Sequence, residues 1–335
     1  MSVQLSRRDS LMLTASAAGS VLLRRQPARA AGALDRVSIT FDWVLDGLYA
    51  PFFLGVDTGI FAKHGIDLTL FPGTGSRNTA LAVASGHSTF GIVDATVVPA
   101  AVLQGAEIKT FCCYMRTTAF GICYKKNSGI KQPKDLEGKT YGDAPGSATY
   151  ALWPVFMRKV GADPSKVRLI SVSPAAQWSG FFDGQYLATF TAMNDSFVKV
   201  SHGGHDVAAF AYADYGINLM SKTLVAEAAT LKNTDLARRF SLAFLESLEA
   251  TRRDPAAAVD ITRRLAPQSS AKDVQLGMLQ DTFAHRLDSP NTIGQPPGRM
   301  ADKDWTDLVE TLAEVGVLKQ RVPIGQLFTN EFLPG

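Results

Sequence analysis

An aromatic and an acidic side chain stand together where the first strand-like apolar run, residues 37–41, ends. Asp42 and Trp43 follow that run, and Tyr49 begins the next segment. An indole or phenol ring can stack on a flat heterocycle, and a carboxylate can accept hydrogen bonds from ring amines. The alternative is that Trp43 lies in the core and Asp42 caps a turn, and the sequence leaves both interpretations open.

Two motifs place glycine and hydroxyl residues at the expected start of a helix, at residues 75–77 (Gly-Ser-Arg) and 146–149 (Gly-Ser-Ala-Thr). A helix start presents free N–H groups and partial positive charge, which attract anionic or acceptor groups. Ordinary N-capping explains the same residues and is compatible with ligand binding. We therefore expect Gly75, Ser76, Ser147 and Thr149 to contact a ligand.

Further candidates lie in the second half of the chain. Trp178 and the pair Asn194-Asp195 follow strand-like runs, and Asp214-Tyr215 lies near a predicted crossover, where it either touches ligand or shapes a hinge. The five histidines are scattered and show no metal-ligand spacing, so we expect no metal site. No catalytic triad can be assembled from the sequence.

The elements that carry these residues alternate between strand-like and helix-like patterns, which favours an α/β class with mainly parallel sheets. Strands are predicted at residues 37–41, 66–71, 89–93, 107–115, 119–125, after 136, 167–172, 185–191 and 207–212. Helices are predicted at residues 49–64, 77–85, 97–104, 146–160 and 175–182, and the chain is expected to be helical from Leu224 onward, with helices at 235–252, 255–265, 271–282 and 302–315.

Two strand-rich units followed by helices predict two lobes joined by crossovers near residues 117–118 and 213–220. The predicted boundaries are 31–117 for the first part of lobe 1, 118–216 for lobe 2, and 217–335 for the return to lobe 1 and the C-terminal helices.

Residues 1–30 are typical of an export signal. Arg7-Arg8 precedes the apolar run 11–23, and Ala28-Arg29-Ala30 gives a small-residue cleavage motif. The adjacent arginines indicate the twin-arginine route. We expect a mature protein that starts near Ala31 and is free in the periplasm.

Removing residues 1–30 changes the charge of the protein. They hold five arginines and one aspartate, a net +4, and because the whole chain is +3 the remainder is −1. A near-neutral body gives no reason to expect nucleic acid as a partner. Cys112, Cys113 and Cys123 are expected to be buried thiols. Cys112 and Cys113 should point to opposite faces of an extended segment, and a bridge from either to Cys123 is left open.

Six segments taken in order resemble the nitrate, sulfonate and thiamine-pyrimidine solute-binding proteins: residues 41–43, 59–68, 84–92, 135–139, 214–216 and the tail from 240 to 258. This resemblance implies a type II periplasmic-binding-protein fold with a two-crossover hinge and a ligand in the cleft. It also implies a protein that serves the membrane permease of an ABC-type importer, and we expect this protein to be a monomer. Asp94 ends the third strand at the family's cleft position, or else serves as an N-cap. The family often has an aspartate where this chain has Leu187.

The resemblance leaves three ligand or activity classes. The first is a thiamine pyrimidine precursor or another heterocycle, favoured by the aromatic set. The second is an alkyl sulfonate, taurine or nitrate, for which only Arg77 and Arg116 are candidate donors. The third is the related thiamine-pyrimidine synthase, whose lysine and histidine align with Val93 and Val97. Because valine can neither form a Schiff base nor donate an imidazole proton, we expect a binding protein without cofactor or catalysis.

Overall fold

The strands of this chain form two five-stranded sheets within residues 33–145, 148–173 and 176–334, which the computed structural model describes. We call the units built on these sheets the first and the second lobe. The predicted export segment, residues 1–30, lies outside the described residues, and so do Gly146 and Ser147.

The first sheet has the strand order β2-β1-β3-β10-β4. Its strands are β1 (Asp35–Thr40), β2 (Ile66–Phe71), β3 (Phe90–Asp94), β4 (Ile108–Cys113) and β10 (Lys222–Glu227). β1 pairs in parallel with β2 and β3, whereas β10 runs antiparallel to both β3 and β4. The carboxyl ends of β1 and β3 therefore meet the start of β10 at one edge of the sheet.

The second sheet repeats this arrangement with the order β7-β6-β8-β5-β9. Its strands are β5 (Phe120–Lys125), β6 (Thr140–Asp143), β7 (Arg168–Ser171), β8 (Ala188–Ala192) and β9 (Val207–Ala211). β6 is parallel to β7 and β8, and β5 is antiparallel to β8 and β9. Four of the five strands in each sheet run in the same direction, in agreement with the prediction of mainly parallel sheets. Each sheet is nevertheless mixed, because it takes in one strand, β10 or β5, that arrives from the other lobe and runs against its neighbours.

Helices cover the sheets. They are α1 (Ala50–Asp57), α2 (Ile60–Lys63), α3 (Ser76–Ala84), α4 (Val98–Leu103), α5 (Ala148–Lys159), α6 (Gln177–Phe182), α7 (Ser196–His202), α8 (Ala228–Leu231), α9 (Thr234–Arg253), α10 (Pro255–Leu265), α11 (Lys272–His285) and α12 (Asp302–Glu314). Among the described residues, no helix has both the length and the apolar character that a membrane crossing needs. The α/β class with a helical C-terminal region is confirmed.

The longest helix, α9, shows how the sequence pattern produces the packing. Its start is capped by Asn233, whose side chain accepts from the Leu236 N–H at 3.2 Å. Phe240 and Phe244 are four positions apart, so they share the buried face. The Phe240 ring stacks on Phe90 of β3 with 4.0 Å between ring centroids. This contact fixes α9 against the face of the first sheet.

The cysteines of β4 lie on opposite faces of the first sheet, as predicted for an extended segment. Cys112 packs in the core that contains Phe90 and Phe240, and Cys113 packs in the core that contains Val93. Cys112, Cys113 and Cys123 are all buried free thiols. Burial raises the pKa of Cys112 and of Cys123 to about 12, which keeps these thiols protonated and unreactive.

The chain passes to the second sheet between β4 and β5 and returns between β9 and β10. The first crossing is held by a segment that follows α11. Arg286 donates from its guanidinium to the Thr118 carbonyl at 2.8 Å, and the Arg116 N–H donates to the Arg286 carbonyl at 2.8 Å. The exact lobe boundaries at 117/118 and 216/217 stay a prediction.

Two local predictions need correction. The chain was expected to be helical from Leu224 onward, but Lys222–Glu227 forms β10, because its apolar side chains fill the gap between β3 and β4. The helix predicted over 49–64 is interrupted between α1 and α2, where Gly59 adopts a left-handed conformation with φ of 76°.

Candidate functional site

The centre of the site is the carboxylate of Asp42, two residues beyond β1. Oδ1 of Asp42 accepts from the Tyr49 hydroxyl at 2.7 Å, and Oδ2 accepts from the Ser76 hydroxyl at 3.0 Å and from the Lys222 ammonium. Burial, together with the charge of Asp42, raises the pKa of Tyr49 well above its usual range, so this phenol remains a donor. Asp42 is thus fixed by three donors from three different segments.

The loop after β2 is folded tightly against Asp42. The Gly75 N–H donates to the Asp42 carbonyl at 2.9 Å, and the Gly73 N–H donates to the Trp43 carbonyl at 3.0 Å. A Cβ atom at Gly73 would lie 1.7 Å from the carbonyl oxygen of Phe41, so only glycine fits there. This close approach holds the start of α3 beside the end of β1.

Lys222 is the cation of the site and the first residue of β10. It lies directly opposite Asp94 in the antiparallel pairing of β10 with β3. Burial alone would lower the pKa of Lys222, but the charges of Asp42 and Asp94 outweigh it and hold the pKa above its ordinary value. Lys222 is therefore an ammonium group and not a nucleophilic amine.

Asp94, the last residue of β3, caps the turn that follows. Its carboxylate accepts from the Thr96 N–H at 3.1 Å and from the Ser221 hydroxyl at 2.9 Å. Burial raises the pKa of Asp94, although Lys222 and these hydrogen bonds act in the opposite direction. The Asp94 N–H donates to the Ser76 hydroxyl at 3.0 Å, so Ser76 connects Asp94 to Asp42.

Asp42, Tyr49, Asp94 and Lys222 belong to one wall of a cavity of about 140 Å³ that both lobes enclose. The first lobe contributes Asp42, Trp43, Asp46, Tyr49, Asp94 and Lys222. The second lobe contributes Ala119, Phe120, Ala192, Asn194 and Asp195.

The second-lobe wall is formed mainly by the turn after β8. The Asn194 amide donates to the Thr282 hydroxyl of α11 at 3.0 Å, so it is held by a helix that packs on the first lobe. Asp195 pairs with Lys199 at 2.8 Å. Phe120, the first residue of β5, supplies a ring to this wall.

Comparison with known proteins establishes the family of the chain. The family model described as NMT1/THI5 like matches residues 48–258, which is more than half of the sequence. The chain belongs to the NMT1/THI5-like family. The resemblance drawn from the sequence segments is thereby confirmed.

Two relatives of this NMT1/THI5-like protein match it over most of their length. It is 26% identical over 314 residues to the riboflavin-binding protein RibY of Chloroflexus aurantiacus. The aligned region covers 90% of this chain and 87% of that protein. It is 20% identical over 307 residues to the formylaminopyrimidine-binding protein of Halalkalibacterium halodurans. Here the aligned region covers 89% of this chain and 91% of that protein.

A solved structure confirms the fold. The periplasmic aliphatic sulphonate binding protein SsuA of Escherichia coli superposes with a TM-score of 0.70 at 15% identity, over 87% of this chain and 91% of that one. At this identity the likeness shows the fold alone, so the NMT1/THI5-like chain has the predicted two-lobed periplasmic-binding-protein fold.

Of the predicted site residues, six line the cavity of this NMT1/THI5-like protein: Asp42, Trp43, Tyr49, Asp94, Asn194 and Asp195. Trp43 is half exposed, with 50% of its surface accessible, whereas Tyr49 is buried with its ring stacked on Phe41 at 4.3 Å. The Trp43 ring is therefore accessible at the cavity, whereas Tyr49 contributes through its hydroxyl.

The other predicted residues that the structure describes do not line this cavity. Gly75 and Ser76 lie behind its wall, and Ser76 acts through Asp42 and Asp94. Thr149 donates to Asp143 at 3.2 Å. The remaining three lie elsewhere in the second lobe: Trp178 packs on Phe181 and Phe182, Tyr215 packs on Phe156 and Phe210, and Asp214 is exposed.

The sequence analysis missed Lys222, Asp46, Ser221 and Phe120. The sequence pattern around Lys222 could have predicted its position. A lysine directly before the apolar run Thr223–Ala226 indicates a strand whose first residue lies in a polar environment at the end of the sheet. Asp46 could also have been predicted, since it precedes Gly47 and caps the turn Gly47–Tyr49. Lys222 was overlooked because Leu224 was taken as the start of a helical region.

The residues considered for the synthase and for the sulfonate or nitrate alternatives lie outside the 140 Å³ cavity. Val93 is fully buried in the core, and Val97 lines a separate groove of about 820 Å³ together with Arg77. Arg116 is buried and bound to Asp288 at 2.8 Å. Neither arginine lines the 140 Å³ cavity.

Proposed function

We propose that this protein is the exported solute-binding component of an ABC-type importer and that it captures a small nitrogen heterocycle rich in N–H donors. The observation that carries the proposal is the composition of the 140 Å³ cavity, where carboxylates from both lobes surround a space bordered by Trp43. The ligand would stack on the Trp43 ring and donate hydrogen bonds to the acidic wall.

The charge of the cavity supports a ligand that donates hydrogen bonds. Its lining includes four carboxylates, Asp42, Asp46, Asp94 and Asp195, and one ammonium group, Lys222, which is already bound to Asp42. Lys199 pairs with Asp46 and Asp195 beside the cavity, so four carboxylates stand against two ammonium groups. Bringing a sulfonate or nitrate beside these carboxylates would cost electrostatic energy that no lining arginine offsets among the described residues. An amino-substituted ring instead provides the N–H groups that such a wall accepts.

The size of the cavity supports a ligand of one ring. Its volume of about 140 Å³ is well below the roughly 300–1,000 Å³ of sites that hold drug-sized molecules. One of the relatives is a formylaminopyrimidine-binding protein, and the other is a riboflavin-binding protein. The small acidic cavity favours the aminopyrimidine class over a three-ring flavin.

Binding without catalysis is supported by the residues that the related synthase would need. Val93 and Val97 stand where that enzyme carries its lysine and histidine, and Lys222 is held as an ammonium ion by two carboxylates. Neither valine provides a nucleophile or a proton-transfer group. The protein would therefore release its ligand unchanged, as a monomer that delivers it to the membrane permease.

Export by the twin-arginine route to the periplasm is supported by Arg7-Arg8 and the following apolar run. Replacing both arginines by lysine should leave the full-length precursor in the cytoplasm, as cell fractionation would show. Mature protein that starts near Ala31 and still accumulates in the periplasm would contradict this route.

Calorimetric titration of the mature protein tests the ligand class. 4-Aminopyrimidine, riboflavin, taurine and nitrate serve as probes, and we expect 4-aminopyrimidine to bind most tightly. Trp43→Ala should weaken that binding by about 1–3 kcal/mol, the magnitude of base–aromatic stacking. The unfolding free energy of Trp43→Ala should stay within about 1 kcal/mol of the wild-type value, because half of the side chain is already exposed.

Trp178→Ala is the matched control, since Trp178 packs on Phe181 and Phe182 in the second lobe. It should lower the unfolding free energy and leave the affinity for 4-aminopyrimidine unchanged. Tighter binding of taurine or nitrate than of 4-aminopyrimidine, or equal affinities of wild type and Trp43→Ala, would overturn the proposal.

A further inference from the structure

Lys199 of α7 connects the two lobes beside the cavity. Its ammonium lies 2.8 Å from Asp195 of the same segment and 3.1 Å from Asp46 of the first lobe. Both carboxylates line the cavity, one on each wall. Burial alone would lower the pKa of Lys199, but Asp195 and Asp46 raise it above its ordinary value, so the residue stays charged.

Asp46 is held rigidly by the first lobe. Its Oδ1 accepts from the Gly47 N–H at 2.9 Å and from the Ser270 N–H at 3.2 Å, and its Oδ2 accepts from the Ser270 hydroxyl at 2.6 Å. Ser270 lies two residues before the first residue of α11, so the turn that carries Asp46 is tied to the start of that helix. The position of Asp46 is therefore determined independently of Lys199.

Packing of α7 against α11 brings Lys199 to Asp46. Gly277 of α11 faces α7 so closely that a Cβ atom there would lie 2.9 Å from Cγ1 of Val198 and 3.0 Å from Cε1 of His202. Val198 is buried among the core residues of the first lobe. The residue next to Lys199 thus already belongs to the contact between lobes.

We propose that Lys199 is a positioning residue that holds the lobes closed around the ligand through its ion pair with Asp46. Lys199 and Asp195 are four residues apart on one segment, so their bond survives when the lobes separate. Asp46 moves with the other lobe, so the second bond exists only in the closed arrangement. This inference rests on the proposed function, because closure matters only if the cavity binds a ligand.

The consequence is kinetic. A contact that exists only in the closed arrangement has to break before the ligand can leave, so it slows dissociation more than association. Removing Lys199 would also remove the positive charge that lies between Asp46 and Asp195. The two carboxylates would then repel each other, which would favour opening of the lobes. Since the Lys199 side chain is about one-third exposed, salt should weaken the pair in part.

Stopped-flow measurement of 4-aminopyrimidine dissociation tests the inference. We expect Lys199→Met to dissociate about tenfold faster, with an association rate within about twofold of wild type. Lys199→Arg keeps the charge, so its dissociation rate should lie close to that of wild type. Raising the salt concentration should speed dissociation from wild type more than from Lys199→Met, a response that a merely structural role would not produce.

Lys126→Met is the matched control, because Lys126 forms an exposed ion pair with Asp206 at 2.9 Å inside the second lobe. It should dissociate at the wild-type rate. Asp46→Asn should accelerate dissociation less in the Lys199→Met background than in wild type, because the pair is already broken. Equal dissociation rates of wild type and Lys199→Met, or equal effects of Asp46→Asn in both backgrounds, would overturn the inference.

Failure of the proposed function can be told apart from failure of this inference. If none of the four probes binds, the proposed function is wrong, and small-angle X-ray scattering of the protein without added ligand then decides on Lys199. A larger radius of gyration for Lys199→Met than for wild type and Lys199→Arg supports closure by Lys199. An unchanged radius contradicts it.

Discussion

Each lobe buries an aspartate near the carboxyl end of the strand that is second in its sheet. Asp42 follows β1, and Asp143 ends β6. Each accepts from a tyrosine and from a hydroxyl residue at a helix start: Asp42 from Tyr49 and Ser76, Asp143 from Tyr141 and Thr149. The two lobes thus use the same polar arrangement to join a strand end to the helix beside it.

The difference lies in what else each carboxylate contacts. Asp42 binds Lys222 and lines the cavity, whereas Asp143 has no exposed surface and accepts a further bond from the Ala144 N–H at 2.7 Å. In the second lobe the cavity is reached instead by Asn194 and Asp195, after β8. The shared arrangement therefore joins a strand end to a helix in both lobes, and among the described residues the aspartate of the first lobe lines the 140 Å³ cavity whereas Asp143 does not.

Removing the cation should produce the largest effect. Lys222→Met leaves Asp42 and Asp94 as buried carboxylates without their ammonium partner, and breaking a buried pair in this way costs about 3–5 kcal/mol. Urea unfolding should show this loss of unfolding free energy. The double variant Lys222→Met with Asp42→Asn should recover part of it, because Tyr49 and Ser76 keep an acceptor while one unpaired charge is gone. A loss below about 1 kcal/mol for Lys222→Met would show that the ion pair does not stabilise the first lobe.

Neutralising the second-lobe carboxylate should have a smaller effect and separate stability from binding. Asp143→Asn keeps one acceptor oxygen and should lower the unfolding free energy by about 1–2 kcal/mol. The affinity for 4-aminopyrimidine, measured by calorimetry, should stay unchanged. Asp42→Asn is the matched variant in the first lobe and should weaken that affinity as well as the fold. If Asp143→Asn weakened binding as much as Asp42→Asn, the two carboxylates would not differ in function.

The pH dependence of stability should give the smallest effect. The folded-state pKa of Lys222 lies above its ordinary value of 10.5, because Asp42 and Asp94 outweigh its burial. Its stabilising contribution is therefore complete below pH 10.5 and is lost as the pH rises through the folded-state pKa. The difference in unfolding free energy between wild type and Lys222→Met should shrink by about 1 kcal/mol between pH 9 and pH 11. A difference that stays constant or grows over this interval would contradict the assignment of a protonated Lys222.

The sequence by itself determined the class of the fold and many of its elements, although not β10 or α7. The alternation of short apolar runs with helical patterns predicted the α/β class, and the predicted helix at 255–265 matches α10 residue for residue. These features are local, because side-chain period and capping residues act over a few positions. Asp42, Trp43 and Asp94 could be predicted for the site because strand ends are visible in the sequence.

Only the tertiary structure decided which of these residues meet. Asp42 and Lys222 are 180 positions apart, and their contact depends on β10 returning from the other lobe to pair with β3. In the same way, the crossing of β5 into the second sheet makes that sheet mixed and brings Phe120 to the cavity, whereas Trp178 packs on Phe182 within the second lobe. A local sequence pattern does not predict which strand will pair with a strand that arrives from the opposite lobe. Burial and pairing across that distance are set by the packing of the whole chain.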